Sequence, residues 1–418
     1  MFDVVGFIKR LWAPTLLGIS LLIFLTRTVL PSSKMITHGF AAYYTASRLV
    51  LENRGGSIFY DDKAFQAEVE EKTSGQASDI FWANPPTMAL MFIPLAAFSV
   101  GDARFVWTFL SLILLILAVT ISGLVIFTSP FREHEFYLSA SIFFLSAPVA
   151  KNFELGQVYI FLLFLYASAL LALHFKLDWL AGFLLAMALA LKASGLPLLV
   201  LLALRGKWGM IMWTFLALAG LTFLSIPLVG NSTWLTYLLN VLPKFLADPV
   251  IAVTAYQTVP GFVRHLFTYD PVWNPTPLLD WPTFASLVSV FLTVALIGIA
   301  GWYSRRTSLE WTFCIGLLLS LILVPVAEQH HYAVLFPVFL LAVNSPSVPK
   351  WLLFIAAALI ASPLEYMNSD LTSGWRALLA YPRLYGAILL FFLLQWHQVD
   401  FVSQDSQTIN IDALSRAQ

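Results

Sequence analysis

Charge is what this sequence has least of. Asp, Glu, Lys and Arg make up 11% of its 418 residues, against roughly a quarter in a soluble domain. The 23 basic residues balance the 23 acidic ones, so no positive surplus is left to follow a phosphate backbone, and nucleic acid is not an expected partner. Cys314 is the one cysteine and sits inside an apolar run; a lone thiol makes neither an intramolecular disulfide nor a cysteine-based zinc site. No Gly-rich phosphate loop is present, which argues against a nucleotide-linked substrate. His-Glu-x-x-His and Gly-x-Ser-x-Gly are absent too, leaving protease and hydrolase readings without support. The polar segments also lack Asp-x-Asp, which weakens the case for a metal-dependent enzyme.

What fills the sequence instead is apolar surface: 59% of residues are hydrophobic and mean hydropathy is +0.82. That composition defines an all-α polytopic membrane protein. Lys9 and Arg10 precede the run Pro14 to Leu30, and the following Pro31-Ser32-Ser33-Lys34 is no cleavage site, so a retained signal anchor is expected. Further apolar runs are Phe105 to Phe127, Phe136 to Ala150, Val158 to Phe175, Met210 to Val229, Phe284 to Tyr303, Trp311 to Ala327, Tyr332 to Val343, Trp351 to Tyr366 and Leu384 to Trp396.

Two runs decide the topology. Leu180 to Leu204 is interrupted by Lys192-Ala193-Ser194-Gly195-Leu196-Pro197 and is basic at both flanks, which predicts two short helices meeting at a break near the opposite face. Pro85 to Val100 is short and proline-rich and reads as an interfacial helix. Lys9/Arg10, Arg132, Lys176, Arg205/Lys207, Arg305/Arg306 and Lys350 then fall on one side, consistent with about twelve spans and both termini in the cytoplasm. The expected organisation is one integral membrane domain over residues 1–396, with a first outer loop at about 31–104, and a short cytoplasmic tail over 397–418.

This topology gathers the polar islands on the outer face. The most unusual is Glu328-Gln329-His330-His331, wedged between two apolar runs. Ionisable groups at a membrane boundary cost several kcal/mol unless a partner, cavity or ligand meets them, which marks them as functional candidates.

The islands carry a recognisable pattern. Gly39-Phe40-Ala41-Ala42-Tyr43-Tyr44-Thr45-Ala46, Ile58-Phe59-Tyr60-Asp61 and Asn84-Pro85-Pro86 come first. Leu155-Gly156-Gln157, Ala190-Leu191-Lys192 with Pro197, Tyr256-Gln257-Thr258 with Gly261 and Arg264, and Pro325 with His330-His331 follow in order. Over roughly residues 35 to 345 this order resembles glycosyltransferase family 87, polyprenyl-phosphate-mannose-dependent enzymes of the GT-C fold. The resemblance implies a GT-C-like bundle in the plasma membrane that transfers a hexose, mannose by analogy, from a polyprenyl-phosphate sugar to a glycolipid or glycan acceptor at the extracytoplasmic face. The lipid-linked donor is a substrate, and no cofactor is implied. One departure stands out: where the family carries an aspartate before its Phe-x-x-Tyr-Tyr stretch, as its presumed base, this chain has Gly39, preceded by His38.

Inverting sugar transfer needs a proton acceptor for the incoming hydroxyl, a cationic or hydrogen-bonding site for the departing phosphate, and polar groups around the sugar. His38 and Glu328 are the candidate catalytic residues, with Asp79 a third choice. Lys192, at a break deep in an apolar run, is the first candidate for the phosphate, joined by His330, His331 and Arg264. Being adjacent, the two histidines point about 100° apart on a helix and are poorly placed to share one metal. Tyr43, Tyr44, Glu154, Gln157 and Gln257 are candidates for sugar or acceptor. Each competes with an ordinary role: helix capping for Glu154 and Gln157, a surface charge for Arg264, snorkelling for Lys192, an interfacial belt for Tyr43, Tyr44, Trp82, Trp234 and Trp273. A flippase of lipid-linked glycans and an inactive assembly subunit of the same architecture are the alternative readings.

Overall fold

The computed structural model describes residues 4–82, 84–247, 252–364, 371 and 374–395. Among them the secondary structure is helical, with one isolated bridge between Asp270 and Asn274. Four helices are long and apolar enough to cross a membrane: Leu11–Ser32, Val100–Ile126, Trp208–Val229 and Pro282–Ser304. A fifth candidate arises if Gly374–Ala380 and Pro382–Gln395, bent by 58°, are one span. The chain is an all-helical membrane protein.

The other expected spans are shorter than their apolar runs. Tyr159–His174, Asp178–Leu191, Leu309–Ile322 and Lys350–Ala361 have 16, 14, 14 and 12 residues, below the ~20 that a perpendicular helix needs. Phe136 to Ala150 is two helices, His134–Phe144 and Ala147–Leu155, separated where Pro148 cannot continue the first. Tyr332 to Val343 is not one span either. It begins as a 3-10 turn, Gln329–Leu335, and becomes α-helical only at Phe336–Asn344. Pro85 to Val100 forms two helical turns, Met88–Met91 and Ile93–Ala96. Trp396, the tail 397–418 and most of 365–373 lie outside the described residues.

Connections and loops sort to two ends. Val100–Ile126 is capped by Ser99, whose hydroxyl accepts from the Asp102 N–H at 3.2 Å; at 27 residues it is about 40 Å long. Near its start, the fully buried Arg104 donates to the carbonyls of Ser32, Met35, Phe153 and Glu154. At its finish, the Ile126 carbonyl accepts from Asn344. The Asp178, Arg205, Lys207 and Glu310 connections also meet one another: Lys207 pairs with Asp178 at 3.1 Å, His174 with Glu310 at 3.0 Å, and Arg205 donates to the Ser304 carbonyl. Arg104 thus ties together the loop ends that carry the polar islands, away from the finish of its own helix.

Candidate active site

The broken helix is the site's floor. Asp178–Leu191 ends because Lys192 takes extended dihedrals, φ −142° and ψ 121°, and Leu196–Leu204 resumes beyond Gly195 with Pro197 in its first turn. Breaking a helix strands backbone groups. Here the Ser320 hydroxyl accepts from the Leu198 N–H at 3.1 Å, and Thr87 donates to the Ala190 carbonyl. The Lys192 ammonium donates to the Asn84 side-chain oxygen at 2.6 Å and lies 5.4 and 5.8 Å from the centroids of the Tyr43 and Tyr159 rings. A desolvated ammonium is stabilised by both kinds of contact.

Above this floor is a cavity of about 290 Å³, near the lower end of small-molecule sites. Its polar wall contains His38, Tyr43, Asp79, Gln157, Lys192, Glu328, His330 and His331; Phe245, Leu317, Leu321 and Val324 contribute apolar wall. Tyr43 donates to the Gln157 side-chain oxygen at 2.6 Å. Gln157 is presented by Gly156, which ends Ala147–Leu155 in the left-handed region at φ 62°. A Cβ at Gly156 would come within 2.0 Å of Arg104 Nη1, so glycine is required there by both dihedral and space.

Glu328 and the histidines are held as a unit. The Glu328 carboxylate accepts from the His331 N–H, and the Glu328 N–H donates back to His331 Nδ1 at 3.0 Å. That reciprocity starts the 3-10 turn and leaves His331 Nδ1 unprotonated. His330 Nδ1 lies 3.7 Å from Glu328 Oε2. The two rings do not diverge as an ideal helix would have them: their centroids are 4.4 Å apart, and both pack on Tyr159. Tertiary packing on that tyrosine overrides their angular separation along the chain. Among the described residues, no three His, Cys, Asp or Glu side chains converge closely enough to hold a metal ion.

Asp79 and Glu328 lie outside the spanning helices, and burial pushes both carboxyls above the ordinary carboxylate range. For Asp79 the rise is opposed by N–H bonds from Gly39 and Ile80 and by the charges of His38 and Lys192. For Glu328 it is opposed by His38, Lys192 and Lys151. Raised carboxyls in a cleft beside a lysine are common at sites of proton transfer.

Four candidates from the sequence stand away from this cavity. Tyr44 donates to the Phe98 carbonyl at 2.9 Å and lines a separate surface depression with Arg48 and Lys72. Glu154 pairs with Lys151 at 2.7 Å. Gln257 is committed to the backbone: its amide donates to the Thr254 and Ala380 carbonyls, both at 2.7 Å, and accepts from the Arg383 N–H at 3.2 Å. Its own N–H donates to the Ala327 carbonyl, bracing the Glu328 corner from behind. Arg264, in Val259–Phe267, is not part of the cavity wall. Sequence reasoning missed Asn84 and Tyr159. Asn84-Pro85-Pro86 was visible as a motif, but its bond to Lys192 spans 108 positions; Tyr159 had no signal beyond its place in an apolar run.

An all-helical membrane protein with a polar cavity of carboxylates, imidazoles and a desolvated lysine at the mouth of a broken helix is, by class, a membrane enzyme. The profile of glycosyltransferase family 87 matches residues 82–325, more than half of the chain. The chain belongs to glycosyltransferase family 87 and is a membrane glycosyltransferase. The matched stretch contains Lys192, Gln157 and Asn84 and ends before Glu328; His38, Gly39 and Asp79 precede it. No curated protein is matched by this sequence.

Proposed function

We propose that this enzyme transfers a hexose, mannose by analogy with the family it resembles, from a polyprenyl-phosphate donor to a glycolipid or glycan acceptor at the extracytoplasmic face of the plasma membrane, with inversion. The observation that carries the reading is Lys192: among the described residues that line the cavity it is the one lysine or arginine, and an ammonium at a polar cavity with an apolar wall suits one phosphate on a lipid chain. The proton acceptor belongs to the carboxylate and imidazole groups of the same cavity, among them His38 and Glu328. Gln157 and Tyr43 suit sugar hydroxyls, and His330 and His331 the phosphate or the sugar. The lipid-linked sugar is a substrate, and the reaction as proposed calls on no cofactor.

The reading takes the shorter apolar helices as tilted or paired spans of a GT-C-like bundle of about twelve, as its basic connections suggest. Support for both termini on the cytoplasmic side comes from the basic residues of the connections; Lys207 with Asp178, His174 with Glu310 and Arg205 with Ser304 bring three of these connections together.

The test is transfer in proteoliposomes supplied with polyprenyl-phosphate sugars. His38→Ala, Glu328→Ala and Lys192→Ala are expected to lower transfer while leaving the protein in the membrane. Full activity in all three would overturn the site. Movement of intact lipid-linked sugar, without release of polyprenyl phosphate, would favour a flippase.

A further inference from the structure

Asp79 is reached from Gly39 by a bond across forty positions of sequence. The Gly39 N–H donates to Asp79 Oδ2 at 2.5 Å, and the Ile80 N–H donates to Oδ1 at 2.9 Å. Gly39 can aim its N–H this way because it adopts φ +88° and ψ −73°. A Cβ there would lie 2.5 Å from Gln157 Nε2 and 3.0 Å from the Leu155 carbonyl oxygen, so neither dihedral nor space admits a side chain. The carboxylate is thus pinned through both oxygens by backbone donors, and each oxygen keeps a second lone pair. It lines the same cavity as Lys192 and Gln157.

The rival groups are placed differently. The Glu328 carboxylate caps its own 3-10 turn through the His331 N–H and has Oε2 3.7 Å from His330 Nδ1, so it faces the imidazole pair. His38 is exposed at the rim.

We propose that Asp79, oriented by the Gly39 N–H, is the catalytic base that removes the proton from the acceptor hydroxyl. This rests on the transfer reaction proposed above. The hydroxyl proton passes to an Asp79 oxygen as the acceptor oxygen bonds to the anomeric carbon. The bond from that carbon to the phosphate oxygen breaks, its electron pair leaving with the polyprenyl phosphate beside Lys192. Asp79 then returns the proton to water.

The groups facing this carboxylate are His38, Tyr43, Lys192 and Glu328. Burial raises its pKa, so in the wild-type protein kcat should rise with pH through a limb above the usual carboxylate range.

The experiment compares wild type, Asp79→Asn and Asp79→Glu in proteoliposomes, measuring kcat against pH and, separately, donor binding. Asp79→Asn keeps an oxygen for the Gly39 N–H. It is expected to retain donor affinity within about threefold while losing about 10²–10⁴ in kcat, the usual worth of a general base, together with the acid limb. Asp79→Glu, which keeps a carboxylate, is expected to recover part of kcat and the limb. A kcat loss below tenfold in Asp79→Asn, a residual rate with the limb intact, or equal activity of the two variants overturns the proposal. Should Asp79→Asn fail to insert, Asp79→Glu decides alone: a residual rate without the limb counts against the base, and one with it counts for it. If wild type itself releases no polyprenyl phosphate, the donor reading fails instead.

Discussion

Lys192 shows how one residue's meaning depends on what surrounds it. As a letter in an apolar run it reads equally as a snorkelling chain or as an anion site. Its 2.6 Å bond to Asn84 and the two tyrosine rings hold the ammonium at the cavity instead. Hydrogen bonds to charged groups contribute about 1.5–3 kcal/mol. Lys192→Met, close in length and without the charge, should therefore raise the KM for a phosphate-linked donor about ten- to a hundredfold, and affect a neutral acceptor's KM much less. Equal effects on both substrates would mean that the lysine only shapes the floor. The same contrast explains Gln257. Its motif marked it as a ligand, but residue type reports only hydrogen-bonding capacity, and the Thr254 and Ala380 carbonyls use that capacity. Asp79 is the reverse case. It ranks only third among the candidate bases from sequence, because nothing local shows that Gly39, a bare backbone in sequence, presents an N–H to it.

At the scale of elements, the break at Lys192 was legible: a lysine, a glycine and a proline in six positions do not continue a helix in an apolar setting. The split near Pro148 and the 3-10 start before Phe336 were less so, because hydropathy reports burial and not the path of the backbone. The turn after Ala147–Leu155 is the element on which the site depends most. Arg104 bonds the carbonyls of Phe153 and Glu154, the Trp107 ring N–H bonds that of Gly156 at 2.9 Å, and Gln157 follows directly. Gly156→Ala would force a Cβ into Arg104 Nη1 and within 2.7 Å of the Phe40 Cβ. Overpacking of this kind costs about 1–3 kcal/mol. The expected outcome is a lower melting temperature in detergent and a fall in transfer larger than that of Gly75→Ala, a left-handed loop glycine with open space around it. A variant as stable and active as wild type would show that Arg104 moves aside and does not fix the turn.

For the whole molecule, the issue is which end faces which compartment. Charge decided the expected orientation, because Lys and Arg in short loops stay cytoplasmic. Independently of that expectation, the fold brings three connections together through Lys207 with Asp178, His174 with Glu310, and Arg205 with Ser304. At the loop end, Arg104 gathers the segments around the cavity. The one native thiol, Cys314, is buried and should stay silent to a membrane-impermeant maleimide. Single cysteines at Glu71 and Lys176, both exposed, then report the two ends without a cysteine-free background. In intact cells Glu71→Cys should label from outside, and Lys176→Cys only after permeabilisation. The reverse pattern would place the cavity in the cytoplasm, where nucleotide-linked sugars are made, and would remove the main reason for a lipid-phosphate donor.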